Sequence, residues 1–171
     1  MEEQRQQKSL YIRNFIFGVE DSLVSTVGLL SGIAASSLPR SAIILTGLIY
    51  ITVEAFSMAV GSFLSEESAE EYLHGEGGSS SKSIQGGLIM FFSFIVAGLA
   101  PLLPYFFLVG SSALYTSILF SLVILFLLGF VSGRTSTRSV VNRGLKMVIL
   151  GGLAIVIGIV VGKFLNITQF P

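Results

Sequence analysis

Long apolar stretches separated by short polar ones organise this chain. Five stretches, at roughly residues 13–36, 41–64, 84–108, 111–132 and 145–166, each reach the length of about 20 residues that a helix needs to cross a bilayer. None alternates apolar and polar residues with the period of a barrel strand, and an open strand edge cannot face lipid. The pattern therefore predicts an all-α integral membrane protein with five transmembrane helices, forming one transmembrane domain over residues 1–171. Pro101 and Pro104 predict a kinked or broken end to the third helix, and Gly110 a tight turn into the fourth. Between helices two and three, Ser65 to His74 reads as an extension of helix two, and Gly75 to Ser83 as a flexible Gly/Ser linker. Glu20 and Asp21 lie inside the first apolar run, which argues against a cleavable signal. No internal repeat stands out.

Composition agrees with the pattern. Hydrophobic residues make up 52% of the chain and charged residues 12%, about half the charged share of a soluble domain. Without cysteine there is neither a disulfide framework nor a thiolate metal site. The net charge of zero hides a segregation. With five helices, Arg5, Lys8, Arg13, Lys82, Arg134, Arg138, Arg143 and Lys146 fall on one side, and only Arg40 and Lys163 on the other. The positive-inside rule then predicts a cytoplasmic N-terminus and an outside or lumenal C-terminus.

The acidic residues carry the candidate chemistry. All ten lie within the first 76 positions, and Glu20, Asp21 and Glu54 fall inside predicted spans. Each costs a few kcal/mol in a membrane unless it is protonated, paired or bound to a cation. A structural ion pair would need a basic residue at matching depth, and the sequence suggests none. At 1.5 Å per residue, Asp21 lies roughly 12 Å beyond Arg13, and Met58 roughly 10 Å from Ser65, at a similar level. Glu54 is one turn from Met58, and Ser25 one turn from Asp21. Carboxylates suit hard divalent ions, and a thioether biases a site toward later transition metals. The plainer readings are a protonated carboxyl bonded to a neighbouring helix, and a methionine that only packs. A second constellation, Glu66, Glu67, Glu70, Glu71 and His74, could collect divalent cations at the cytoplasmic mouth or simply solvate a helix end. Gly28/Gly32, Ser57/Gly61 and Gly158/Gly162 fit the small-xxx-small pattern of close helix packing and make a homodimer plausible. No nucleophile–base arrangement, phosphate loop or zinc motif is present, so neither an enzyme, a permanent cofactor nor a nucleic-acid partner is expected.

Four segments resemble the vacuolar iron transporter family. FGVEDSLVSTVGLLSGIA, Phe17 to Ala34, is similar to its helix-one pattern, and EAFSMAVGSFLSEESAEEY, Glu54 to Tyr72, to the Ser-Met-x-x-Gly stretch closing helix two. GLAPLLPY, Gly98 to Tyr105, and LGFVSGRTSTRSVVNRGLKMVILGG, Leu128 to Gly152, are similar to its later segments. The resemblance implies five helices, a dimer, and export of Fe²⁺ or Mn²⁺ from the cytosol in exchange for protons. It puts Asp21 and Met58 on the ion path. It also implies a compact member, since the acidic extension and linker replace the family's larger cytoplasmic metal-binding domain. Ser22 stands where Gly is usual, Ser62 where Gly or Glu is common, and Tyr50 where plant-type members carry a Glu, a role that Glu54 would take over.

The expectation is thus a proton-coupled Fe²⁺/Mn²⁺ exporter of a prokaryotic cytoplasmic membrane, or of a vacuolar-type membrane in a eukaryote. Its metal residues would be Asp21, Met58, Glu54 and Glu20, with the acidic extension and His74 at the mouth. A passive divalent-cation channel and a non-transporting membrane scaffold are the rivals. Residue spacing alone does not separate antiporter from channel.

Overall fold

The computed structural model describes residues 2–36, 38–74, 80–133 and 140–167. They form six helices: α1 (Glu2–Ala35), α2 (Arg40–His74), α3 (Ser80–Leu102), α4 (Pro104–Phe107), α5 (Ser111–Gly133) and α6 (Val140–Ile167). All but the single turn of α4 are long and apolar enough to cross a membrane, which gives the five spanning helices expected of the fold class. Helices α1 and α2 run past their apolar stretches into polar sequence, and the acidic segment after Ser65 is a continuation of α2. Of the expected Gly/Ser linker, Ser80 to Ser83 form the first turn of α3 instead, while residues 75–79, with Glu76, and Arg134 and Arg138 of the 4–5 connection lie outside the described residues.

Helix α1 is the centre of the bundle. Half of its spanning stretch is buried, against 22% for α2, α5 and α6. It packs chiefly on α3 and α6, and α2 and α5 complete the contacts around it. Leu23, Thr26, Val27 and Leu30 are fully buried. Ser22 is too, and its hydroxyl donates to the Phe94 carbonyl of α3 at 2.6 Å. Lipid tails are as apolar as leucine side chains, so tight packing and interhelical hydrogen bonds must supply the association. Where α1 crosses α6 the contact is backbone to backbone. A Cβ added at Gly158 would fall on the Gly28 carbonyl oxygen, and one at Gly162 on that of Gly32. The small-residue pattern of these helices is thus used inside one chain, between α1 and α6.

The proline-rich end of α3 breaks at Leu103, as its two prolines lead one to expect. Pro104 opens α4, and Gly110, at φ +61°, turns the chain into α5. A broken helix frees carbonyl groups that lipid cannot satisfy. Neighbouring helices satisfy them here. The Ser117 hydroxyl of α5 donates to the Pro101 carbonyl at 2.6 Å. Arg40, at the start of α2, donates through Nε to the Tyr105 carbonyl at 2.5 Å and through a terminal nitrogen to that of Phe106.

Two outcomes follow. Gly158→Ala is expected to lower the melting temperature in detergent, losing about 1–3 kcal/mol to overpacking, whereas Gly152→Ala, with no neighbour within 4 Å of the added carbon, should be silent. Arg40→Ala should cost about 1–3 kcal/mol by leaving carbonyl groups without donors. Equal melting temperatures for the two glycine variants would contradict the close crossing.

Candidate functional site

The antiparallel register of α1 and α2 builds the site. Near the N-terminal end of α1, the Asn14 amide donates to the Ser62 hydroxyl at 2.9 Å, and Arg13 forms an ion pair with Glu66. From there the two helices pass each other four residues at a time. Phe17 and Met58 line one cleft, Asp21 and Glu54 lie close enough for their charges to interact, and Ser25 and Tyr50 come beside each other one turn further on. The Ser25 hydroxyl donates to the backbone carbonyl of Asp21 at 2.6 Å, one turn back along α1. A step of four keeps successive residues on one face of each helix. The result is a polar strip on the open side of α1, set deep in the span, with Asp21, Ser25, Tyr50 and Glu54 all half-buried.

Two open volumes adjoin this strip. Toward the N-terminal end of α1 is a cleft of about 640 Å³, lined by Phe17, Ser57, Met58, Ser62, Glu66 and Met90 among others. Arg13 reaches over its mouth from solvent, 65% exposed, onto a Glu66 that is only 17% exposed. Beyond Ser25 a groove of about 790 Å³ runs between α1 and α6 past Gly28 and Gly32 to Ser36. Asp21, Ser25 and the glycines therefore lie in sequence along a single face of α1, with Met58 and Glu54 of α2 beside its N-terminal part.

Glu20 takes a different place. One residue from Asp21, it points around α1 toward α6 and lines a separate cleft of about 380 Å³ with Arg13, Ser132, Arg143 and Lys146. Its charge interacts with those of Lys146 and Arg143 as well as with that of Asp21. Arg143 is held there by a bond from its guanidinium to the Ser132 carbonyl at 3.1 Å. This corrects the expectation that no basic residue stands at matching depth. The cations of α6 are more than a hundred residues away in sequence, and only the packing of α6 on α1 brings them to Glu20.

In the acidic extension, Glu67 and Glu70 are half-buried and Glu71 is exposed. His74 is the last residue of α2, and its side chain lies outside the described part. Among the described residues no three His, Asp or Glu side chains converge to enclose a metal ion. The strip instead presents two carboxylates, two hydroxyls and a thioether on an open face. Asn14, Ser62 and Met90 are additions that spacing could not reveal, because each depends on how helices distant in sequence meet. Tyr50 was readable as one turn from Glu54, but its place beside Ser25 was not.

The comparisons with known proteins agree with the motifs. The VIT family model matches residues 12–82 and 73–163. The chain is 22% identical to vacuolar iron transporter 1 of Tulipa gesneriana, covering 84% of this chain and 82% of the relative. It is 24% identical to vacuolar iron transporter 1 of Oryza sativa subsp. japonica, over 84% of this chain and 81% of that one. An uncharacterised protein of Methanocaldococcus jannaschii is 31% identical, over 85% of this chain and 84% of its own length. With the family model spanning all five membrane helices and the motif residues aligned along one face of α1, the chain belongs to the VIT family, the vacuolar iron transporters that its motifs resemble.

Proposed function

We propose that this protein transports Fe²⁺ or Mn²⁺ out of the cytosol in exchange for protons, and that it does so as a homodimer. The observation that carries the reading is the Asp21–Glu54 pair. Two carboxylates lie within charge-interaction range of each other in the span, and among the described residues neither has a salt-bridge partner. Two ionised carboxylates placed together in a membrane repel each other and are poorly solvated. Protons relieve both costs, and so does a divalent cation. The same oxygens can hold one or the other, and that competition couples the two fluxes when the site opens alternately to each side.

Asp21 and Glu54 are the central ligands and proton acceptors in this scheme. Met58, one turn away, adds a soft donor, and the Tyr50 and Ser25 hydroxyls flank the carboxylates on the other side. Glu20, beside Arg143 and Lys146, serves as their counter-charge and stands apart from the ligand set. Glu66, Glu67, Glu70, Glu71 and His74 raise the local concentration of divalent ions at the mouth. The segregation of Lys and Arg orients that mouth to the cytosol. A second copy laid on the open face of α1 would enclose the strip and supply a second set of carboxylates. That arrangement accounts for a strip left bare in the single chain. The host membrane is the cytoplasmic membrane of a prokaryote or a vacuolar membrane. The names of the plant relatives and the family membership support the iron reading.

The test is ion flux into proteoliposomes with and without an imposed pH gradient. Wild type should move Fe²⁺ and Mn²⁺ only with the gradient, and Asp21→Asn should fall to the level of empty vesicles while keeping its assembly state. Flux indifferent to the gradient would indicate a passive channel. A folded wild type that moves no divalent ion would indicate a scaffold.

A further inference from the structure

We propose that Met58 and Met90 together form a two-thioether selectivity site in the cleft below the carboxylates, and that this site favours later, softer transition ions over Mn²⁺. The proposal rests on the transport reading above and adds Met90, a residue of α3 that no motif singles out.

Methionine is more often a gap-filler than a ligand, so the case depends on placement. Met58 of α2 and Met90 of α3 line the same cleft of about 640 Å³, while Met147 lines the separate cleft beside Glu20. The cleft opens toward the mouth held by Arg13 and Glu66, and Met58 lies one turn from Glu54. An ion entering there meets sulfur before it meets the carboxylate pair. The neighbouring polar groups are partly used up, since the Asn14 amide is spent on the Ser62 hydroxyl. The two thioethers are then the donors on the cleft wall best suited to a soft ion.

Met90 is only 3% exposed, so it forms the floor of the cleft, and its flexible thioether must turn outward to meet an ion. Gly18 leaves room first for the Ser93 hydroxyl and, at a looser contact, for this sulfur. The Met90 sulfur lies 3.1 Å from where a Cβ on Gly18 would stand, closer than a side chain there would comfortably allow. On the opposite wall, Gly61 has no neighbour within 4 Å of an added carbon, and this leaves space beside Met58. One glycine therefore admits the sulfur and the other leaves the cleft open. Affinity for nitrogen, oxygen and sulfur donors rises from Mn²⁺ through Fe²⁺ to Co²⁺, and thioethers add most for the softer ions. Leucine fills almost the same volume as methionine without the donor atom. A packing role survives that exchange and a ligand role does not.

The experiment is a competition flux assay in proteoliposomes with equal Co²⁺ and Mn²⁺. Met90→Leu and Met58→Leu should each lower the Co²⁺/Mn²⁺ flux ratio severalfold, and Met147→Leu should leave the ratio unchanged. X-ray absorption on the Co²⁺-loaded protein supplies a readout independent of flux. It should detect a sulfur scatterer in wild type that is lost in the Met58→Leu/Met90→Leu double variant. An unaltered ratio in Met90→Leu, or Co²⁺ bound by oxygen and nitrogen alone, would overturn the proposal. If wild type moves neither ion, the transport reading fails, and the sulfur scatterer alone decides whether the site exists.

Discussion

The register between the first two helices is the constraint on which the site depends. Asn14 against Ser62 and Arg13 against Glu66 set it at one end. Every later pairing then follows from the helical repeat, four residues forward on α1 and four back on α2. Asp21 reaches Glu54 and Ser25 reaches Tyr50 for no other reason. A slip of one residue rotates each side chain by about 100° and separates the carboxylates. The surface pair of Arg13 and Glu66 contributes at most about 1 kcal/mol to stability, so its importance lies in alignment. The rest of the bundle keeps α1 in place. Ser22 bonds it to α3, and the glycine crossing with α6 lets the two backbones touch.

The same packing divides the two adjacent acids of α1 between different surroundings. Residues one apart on a helix point about 100° apart, so Asp21 faces α2 while Glu20 faces α6. Glu20 finds Arg143 and Lys146 there, and Asp21 finds another carboxylate. One position thereby has permanent positive neighbours, and the other has a second carboxylate beside it.

Much of this was legible in the sequence because membranes enforce simple rules. Backbone polar groups must be satisfied internally, so five apolar stretches had to become five helices, and two prolines at the end of the third had to break it. Rise per residue put Asp21 level with Met58 and Glu54 one turn deeper, because α1 and α2 are consecutive and antiparallel; the packed register is one turn different, with Asp21 at Glu54 and Met58 at Phe17. What could not be read depends on contacts between elements far apart in sequence. Arg143 and Lys146 beside Glu20, Met90 beside Met58 and Arg40 on the carbonyl groups of α4 are all of this kind. The use of the glycine pattern was also ambiguous, because close packing within a chain and between chains requires the same small residues. Gly28 and Gly158 show the first use.

The central claim is that a proton and a metal ion compete for the Asp21–Glu54 pair. The most direct measurement is the number of protons released when Mn²⁺ binds the purified protein, obtained by calorimetric titration in buffers of different ionisation enthalpy. The account predicts that binding releases protons and that Asp21→Asn reduces the number released. Mn²⁺ binding that releases no protons, or a release that is the same in Asp21→Asn, would contradict it.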